Sequence, residues 1–188
     1  LLLFEHTQAI HQLPIDRNRL LETAAILHNV GTSIDQAQHH IVGRDILIKY
    51  TLSGFTDTER DSIACVVLFH RKKAKPEIDR LFATLSPDVQ RETLILSALL
   101  RVGDGLDYST DQGTHILSIA AKPDRIEVHL DGPPAASDAA RAQHKSDLWQ
   151  SIFKVPFTFS IGDQLVEVSQ TARPHRVRRF GLKPTDLM

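Results

Sequence analysis

The sequence predicts an α+β fold, a mainly helical bundle followed by a small β-β-α-β-β unit. Two observations carry that prediction. Up to about residue 112, apolar residues recur at helical spacing between proline, glycine and capping signals. Beyond it, residues 114–121, 125–130, 155–161 and 165–169 alternate like strands, with one further helical stretch between the second and third. The expected division is a helical domain at 1–112, a small α/β domain at 113–172 and a basic tail at 173–188.

Residues 1–13 read as one helix, with Leu2, Leu3, His6, Ala9, Ile10 and Leu13 on one face. That phase turns His6 inward and His11 outward. Pro14 ends the segment. Asn18 suits the cap of a helix over 19–29. There Leu20, Ala24 and Leu27 form one stripe, and Leu21, Ala25 and His28 the next, so His28 faces inward and Gly31 supplies the stop. A polar loop leads to a helix from about 38 to 51 with His39 and His40 in its first turn.

Thr56 and Glu59 form a capping box. The helix they open closes in His70, Arg71, Lys72 and Lys73, positive charge suited to a helix C-terminus. Ser86 followed by Pro87 starts another helix, expected to end at Gly103, Asp104 and Gly105. Lys122, Pro123 and Asp124 give a hairpin turn, and Ser137 is the expected cap of a helix that buries Trp149 and Phe153.

The net charge of −1 gives no global field to recruit nucleic acid or a membrane surface, so neither is an expected partner. The single cysteine, Cys65, lies in an apolar helical run, which excludes an intramolecular disulfide and fits a buried thiol in a reducing cytoplasm. No apolar run approaches the ~20 residues of a membrane span. The opening LLLF lacks the basic flank of a signal peptide. The first residue is Leu rather than Met, which points to sequence upstream.

Ten histidines are many for 188 residues. Those on the inward faces, with Asp104, are the groups that bind a borderline divalent cation. Such a cation lowers the pKa of bound water and polarises a phosphoryl oxygen. Separate helices of a bundle can supply the ligands. The candidates are His6, His28, Asn29, His39 or His40, His70 and Asp104. Each has a plainer reading beside it. The pair His28 and Asn29 can be a buried polar pair closing a helix, and His39 and His40 a surface pair. Asp104 can be a turn former, and Arg71, Lys72 and Lys73 a solvated helix end. The tail is either a solvated end or a contributor to polyanion binding. His11, His115, His129, His144 and His175 carry no expected site role.

The segments LLETAAILHNVG, QHHIVGRDILI, SGFTDTERDSIACVVLFHRKKAK and LILSALLRVGDGLDYS together resemble the HD superfamily of metal-dependent phosphohydrolases. Within it, the likeness is to the C-terminal module of the exopolyphosphatase/guanosine pentaphosphate phosphohydrolase (Ppx/GppA) family, and AARAQHKSDLWQSIF is similar to that family's last helix. The resemblance implies one divalent metal (Mn, Fe, Zn, Co or Mg) on His6, His28, Asn29, His40 and Asp104, with His70 and Asp104 in catalytic roles. It implies polyphosphate or a phosphorylated nucleotide on Arg71, Lys72, Lys73 and Arg101. Two positions depart from the family's pattern. Asn29 stands where the superfamily has its aspartate, and Val42 where some relatives have a further histidine. Full-length relatives hydrolyse phosphoanhydrides in actin-like domains with Gly-rich phosphate loops, and these residues contain no such loop. The leading expectation is therefore a phosphohydrolase module of the exopolyphosphatase type. The alternatives are a non-catalytic polyphosphate-binding, regulatory or dimerisation module and a signalling HD protein with a protein partner; in any of these a homodimer is a candidate assembly.

Overall fold

The computed structural model describes residues 1–162 and 164–165. The chain is α+β. Its helices are α1 (Leu2–His6), α2 (Gln8–His11), α3 (Asn18–Leu27), α4 (His39–Leu47), α5 (Asp57–Phe69), α6 (Arg80–Thr84) and α7 (Pro87–Leu106). A hairpin of β1 (His115–Ala121) and β2 (Ile126–Asp131) follows, then α8 (Ala135–Lys145), α9 (Asp147–Phe153), β3 (Phe157–Ile161) and β4 (Gln164–Leu165). Of the expected strand at 165–169 only Leu165 is among the described residues, and the basic tail at 173–188 lies outside them. Among the described residues no helix is long and apolar enough to cross a membrane.

The strongest local signals hold. The side chain of Thr56 accepts from the Glu59 amide while Glu59 reaches back to the Thr56 amide, closing the capping box of α5. Ser86 caps α7 ahead of Pro87. Lys122 N donates to Arg125 O across the β1–β2 turn. Cys65 is fully buried, and burial pushes its thiol up, so it is a packing group rather than a nucleophile.

The N-terminal segment corrects the expected phase. The run 1–13 is two short helices interrupted at Thr7, whose hydroxyl and backbone N–H both donate to Leu3 O, at 2.6 and 3.1 Å. The two histidines take the sides opposite to those expected. His11 is fully buried, with Nε2 on Phe4 O at 2.9 Å and Nδ1 accepting from Leu13 N at 2.9 Å, whereas His6 is exposed. Asn18 is the first helical residue of α3 and not its cap, because a 3-10 turn over Ile15–Arg17 feeds straight into the helix. The fourth helix stops at Leu47 rather than near 51. Ser137 lies inside α8 and its hydroxyl donates back to Pro134 O.

Helix α7 runs through Gly103, Asp104 and Gly105, where a stop was expected. Packing explains this. A Cβ on Gly105 would lie 2.5 Å from Ala142 Cα, so the glycine lets α8 lie directly on α7. Tertiary contact outweighs the low helix propensity of two glycines.

The sheet order is β1-β2-β3-β4. The outer pairs are antiparallel, while β2 and β3 are parallel and joined by the crossover through α8 and α9. Ile126, Val128, Leu130, Phe157 and Phe159 are buried on the sheet. Trp149 is fully buried against Phe153 and Phe157, with its indole N–H satisfied by Val155 O at 3.0 Å. One buried cluster joins helical residues such as Leu21, Ile63, Leu96 and Val102 to Ile126, Ala139 and Trp149.

Candidate functional site

Helix ends meet at one place. His28 follows the last residue of α3, His39 opens α4, His70 follows the last residue of α5, and Asp104 lies in the last turn of α7. Two glycines permit this convergence. Gly31 is buried, and a Cβ there would collide with His39 O and lie 2.8 Å from Gly43 N. A Cβ on Gly43 would press on Val67 Cγ1 at 3.0 Å. The turn after α3 therefore rests on the backbone of α4, and α4 takes the Val67 side chain of α5 against Gly43. Gly31 acts through this close approach and not as the helix stop expected of it.

The three imidazoles share one local geometry. His28 Nδ1 lies 2.6 Å from Ala25 O, His39 Nδ1 3.0 Å from Gln36 O and His70 Nδ1 2.6 Å from Val67 O, each a carbonyl three residues earlier. A carbonyl only accepts, so His28 and His70 carry their proton on Nδ1 and turn the Nε2 lone pair inward. His39 Nε2 stands 3.2 Å from His70 Nε2. Arg71 Nη1 donates to Gln36 O, to Ala37 O and, at 3.0 Å, towards His39 Nδ1. With Arg71 donating, His39 Nδ1 accepts and its Nε2–H points at the His70 lone pair. That tautomer gives the His70 lone pair a donor and leaves Gln36 O to be satisfied by Arg71 rather than by His39.

His28 Nε2 faces Asp104 Oδ1 at 3.6 Å. The other oxygen of Asp104 is taken by the ammonium of Lys145, the last residue of α8. Burial is the main cause that lowers the imidazoles, and it takes His70 down to about 2. The charge of Lys145 adds to the lowering at His28, His39 and His70 alike. Lys145 itself is pushed down to about 8, first by burial and then by the Arg101 and Arg71 guanidiniums.

His40 is buried beside this group, its ring 6.0 Å from His39 and 6.5 Å from His70, and Nδ1 finds no hydrogen-bond partner among the described residues. Burial, then Lys72 and Arg71, lower it to about 4. Asn29 is exposed, and His6, exposed on α1, is not brought to the cluster by any hydrogen bond, ion pair or ring contact among the described residues. Lys72 and Lys73 are exposed on the turn after α5, with Lys72 in the left-handed region at φ 56. Arg101, expected on the phosphate, is instead interior. It donates to Phe69 O at 3.1 Å, Lys72 O at 2.6 Å, Lys145 O at 3.3 Å and Asp147 Oδ1. It fixes the basic turn and the end of α8 together.

Lys145 is the site residue that the reading of the sequence missed. Its signal was present. The buried positions Ala135, Asp138, Ala139, Ala142 and Lys145 share one helical stripe, and a lysine on such a stripe needs a carboxylate.

A divalent cation needs lone pairs and net negative charge at one point. Here the one carboxylate is already neutralised by an ammonium, Asn29 is neutral and turned outward, and the His39–His70 pair closes as N–H···N. Among the described residues no group of three or more His, Cys, Asp or Glu side chains adopts a metal-holding arrangement. The donor set as arranged does not fit the metal that the resemblance implies.

Residues 1–147 match the family model described as Ppx/GppA phosphatase, domain III, a span that takes in every residue of the cluster up to Lys145 and Asp147. A guanosine-5'-triphosphate,3'-diphosphate pyrophosphatase of Pseudoalteromonas atlantica is 39% identical over 64 residues, which is 34% of this chain. The matched stretch is 13% of that relative's length.

Proposed function

Because this chain belongs to the Ppx/GppA phosphatase family, we propose that it is the phosphate-recognising module of an exopolyphosphatase-type phosphohydrolase. Its ligand is polyphosphate or a phosphorylated nucleotide, and its helical half is of HD type with the metal function lost. One observation carries the reading. The basic turn of Arg71, Lys72 and Lys73 is held against the histidine pocket by Arg101, with Lys145 inside the pocket. Arg71 and Lys72 are half-buried and exposed respectively, and Lys73 is exposed, so these cations stand at the rim where phosphate oxygens meet them. The strained backbone at Lys72, pinned through its own carbonyl, is a further cost that the fold accepts at this turn.

In this reading Arg71 and Lys72 bind the anion, Lys73 adds charge, and Arg101 positions the turn without touching the ligand. His70 and Asp104 shape the pocket wall. No step passes through a metal.

The test is titration of the whole chain with inorganic polyphosphate and, separately, with guanosine-5'-triphosphate,3'-diphosphate, at low and high salt. Phosphate release is followed in the same samples. The expected result is salt-sensitive binding that weakens by about tenfold or more when Arg71, Lys72 and Lys73 are changed together to Gln. Binding that ignores those three substitutions, or no binding of either anion at low salt, refutes the assignment. Phosphate release separates a module that cleaves from one that only holds.

A further inference from the structure

We propose that Lys145 is the resident cation of the histidine pocket. Its ammonium holds the place between Asp104 and the imidazoles that a divalent metal takes in a histidine–carboxylate site. The proposal stands apart from the phosphate reading above, since it concerns only the charge that the pocket carries for itself.

Position comes first. The stripe of Ala135, Ala139 and Ala142 seats α8 on α7, with Gly105 allowing the backbones to touch. That contact carries Lys145 to the last turn of α8 beside Asp104, where only 6% of the residue is exposed. A lysine is buried so deeply only with an anionic partner, and the Asp104 carboxylate is in contact with Nζ. Arg101 Nε donates to the Lys145 carbonyl, which fixes the backbone from which the side chain reaches.

Charge comes second. His28, His39 and His70 all feel the Lys145 charge, although they come from three different helix ends. One ammonium on the one carboxylate, beside three imidazoles, is the charge arrangement of a metal centre with a +1 ion in it, and Arg71 adds a second cation at His39 Nδ1. The sum over Asp104, Lys145 and three neutral imidazoles is zero. A divalent ion entering that set must displace the ammonium or sit against it, and at such distances the repulsion is large.

The consequence is that the metal site is one substitution away. Lys145→Met keeps the length and apolar stem of the side chain and removes the charge. It frees Asp104 Oδ2, close to His28 and His70, whose Nδ1 atoms already donate to carbonyls as in metal-bound histidines. Whole chain and variant are titrated with Co²⁺, read by visible absorption and by histidine ring signals. The expected result is no stoichiometric Co²⁺ at these rings in the unsubstituted chain. The K145M chain takes up one ion about a hundredfold or more tightly than the unsubstituted chain, and the K145M/H70Q double variant loses it. Stoichiometric Co²⁺ on His28, His39 or His70 in the unsubstituted chain overturns the proposal. So does a folded K145M chain that binds none. Should K145M fail to fold, Lys145→Gln carries the same comparison, and the unsubstituted chain decides its own arm unaided. Neither arm involves phosphate, so a failure here leaves the polyphosphate titration to be judged separately.

Discussion

The guanidinium of Arg101 closes on the carboxylate of Asp147 with Nη2 at 2.6 Å and Nε at 3.1 Å from Oδ1, joining α7 to the first residue of α9. The same guanidinium satisfies the carbonyls of Phe69, Lys72 and Lys145, so one buried side chain ties three helix ends to a fourth helix.

That arrangement predicts unequal costs for its two halves. Arg101→Met leaves three carbonyls without their donor and should cost about 3 kcal/mol of stability. Asp147 has a half-exposed side chain, so Asp147→Asn should cost about 1 kcal/mol or less. Urea unfolding of both variants decides the matter. Equal losses mean that the ion pair, and not the carbonyls, is what Arg101 contributes.

The glycines of α7 should respond in opposite directions. Gly105→Ala drives a methyl into Ala142 and should destabilise by about 1–3 kcal/mol. Gly103 lies in the same helix, a Cβ there would meet nothing within 4 Å, and Gly103→Ala should stabilise by about 0.5–1 kcal/mol. Thermal melts of the two single variants make the comparison. A shift of the same sign in both removes close packing of α8 as the explanation.

Acid should destabilise this chain early. Burial holds His40 at about 4 and His70 at about 2, both below the ordinary value near 6.5. The unfolded chain therefore binds protons that the folded chain refuses. The stability is present above about pH 6.5 and is lost as pH falls towards the folded values. At pH 5 each of these two imidazoles costs about 2 kcal/mol. The urea midpoint should fall steeply between pH 7.5 and 5, and His40→Leu, which also removes an unpartnered Nδ1, should flatten that slope. An unchanged midpoint across that range contradicts the burial of these rings.

The imidazole protons have assigned positions. At pH 7.5 His28 and His70 should carry theirs on Nδ1, bonded to Ala25 O and Val67 O, while His39 should carry its proton on Nε2 towards His70. Long-range ¹⁵N correlation spectra read this directly. A proton on His70 Nε2 breaks the chain that begins at Arg71, and Arg71→Met should switch the His39 tautomer.

What could be read in advance followed from how local the cause was. The capping box at Thr56, the cap at Ser86 and the turn at 122–125 depend on neighbours a few residues away, and the structure has them where the sequence puts them. The inversion of His6 and His11 depends on contacts that the helical period does not encode: Phe4 rather than Leu2 is buried, the helix is interrupted at Thr7, and His11 is held inside by Phe4 O and Leu13 N. The stop expected at Gly103 failed because the decisive contact is with Ala142, far along the chain. Of the candidate site residues, His28, His70 and Asp104 do meet, because each is at a helix end. The histidine pattern was visible on one helix at a time. The lysine that neutralises Asp104 arrives from beyond the hairpin, and no short-range pattern announces such a pairing.

The parallel pairing of β2 with β3 sets a timetable as well as a shape. Lys145 and Asp147 lie on the crossover that this pairing demands, so their partners Asp104 and Arg101 are made long before them. At a synthesis rate of about 5–20 residues per second, roughly 40 residues pass in about 2–8 s. During that interval Asp104 and Arg101 are without Lys145 and Asp147, so the pairs that close the helical half wait for the crossover to be made.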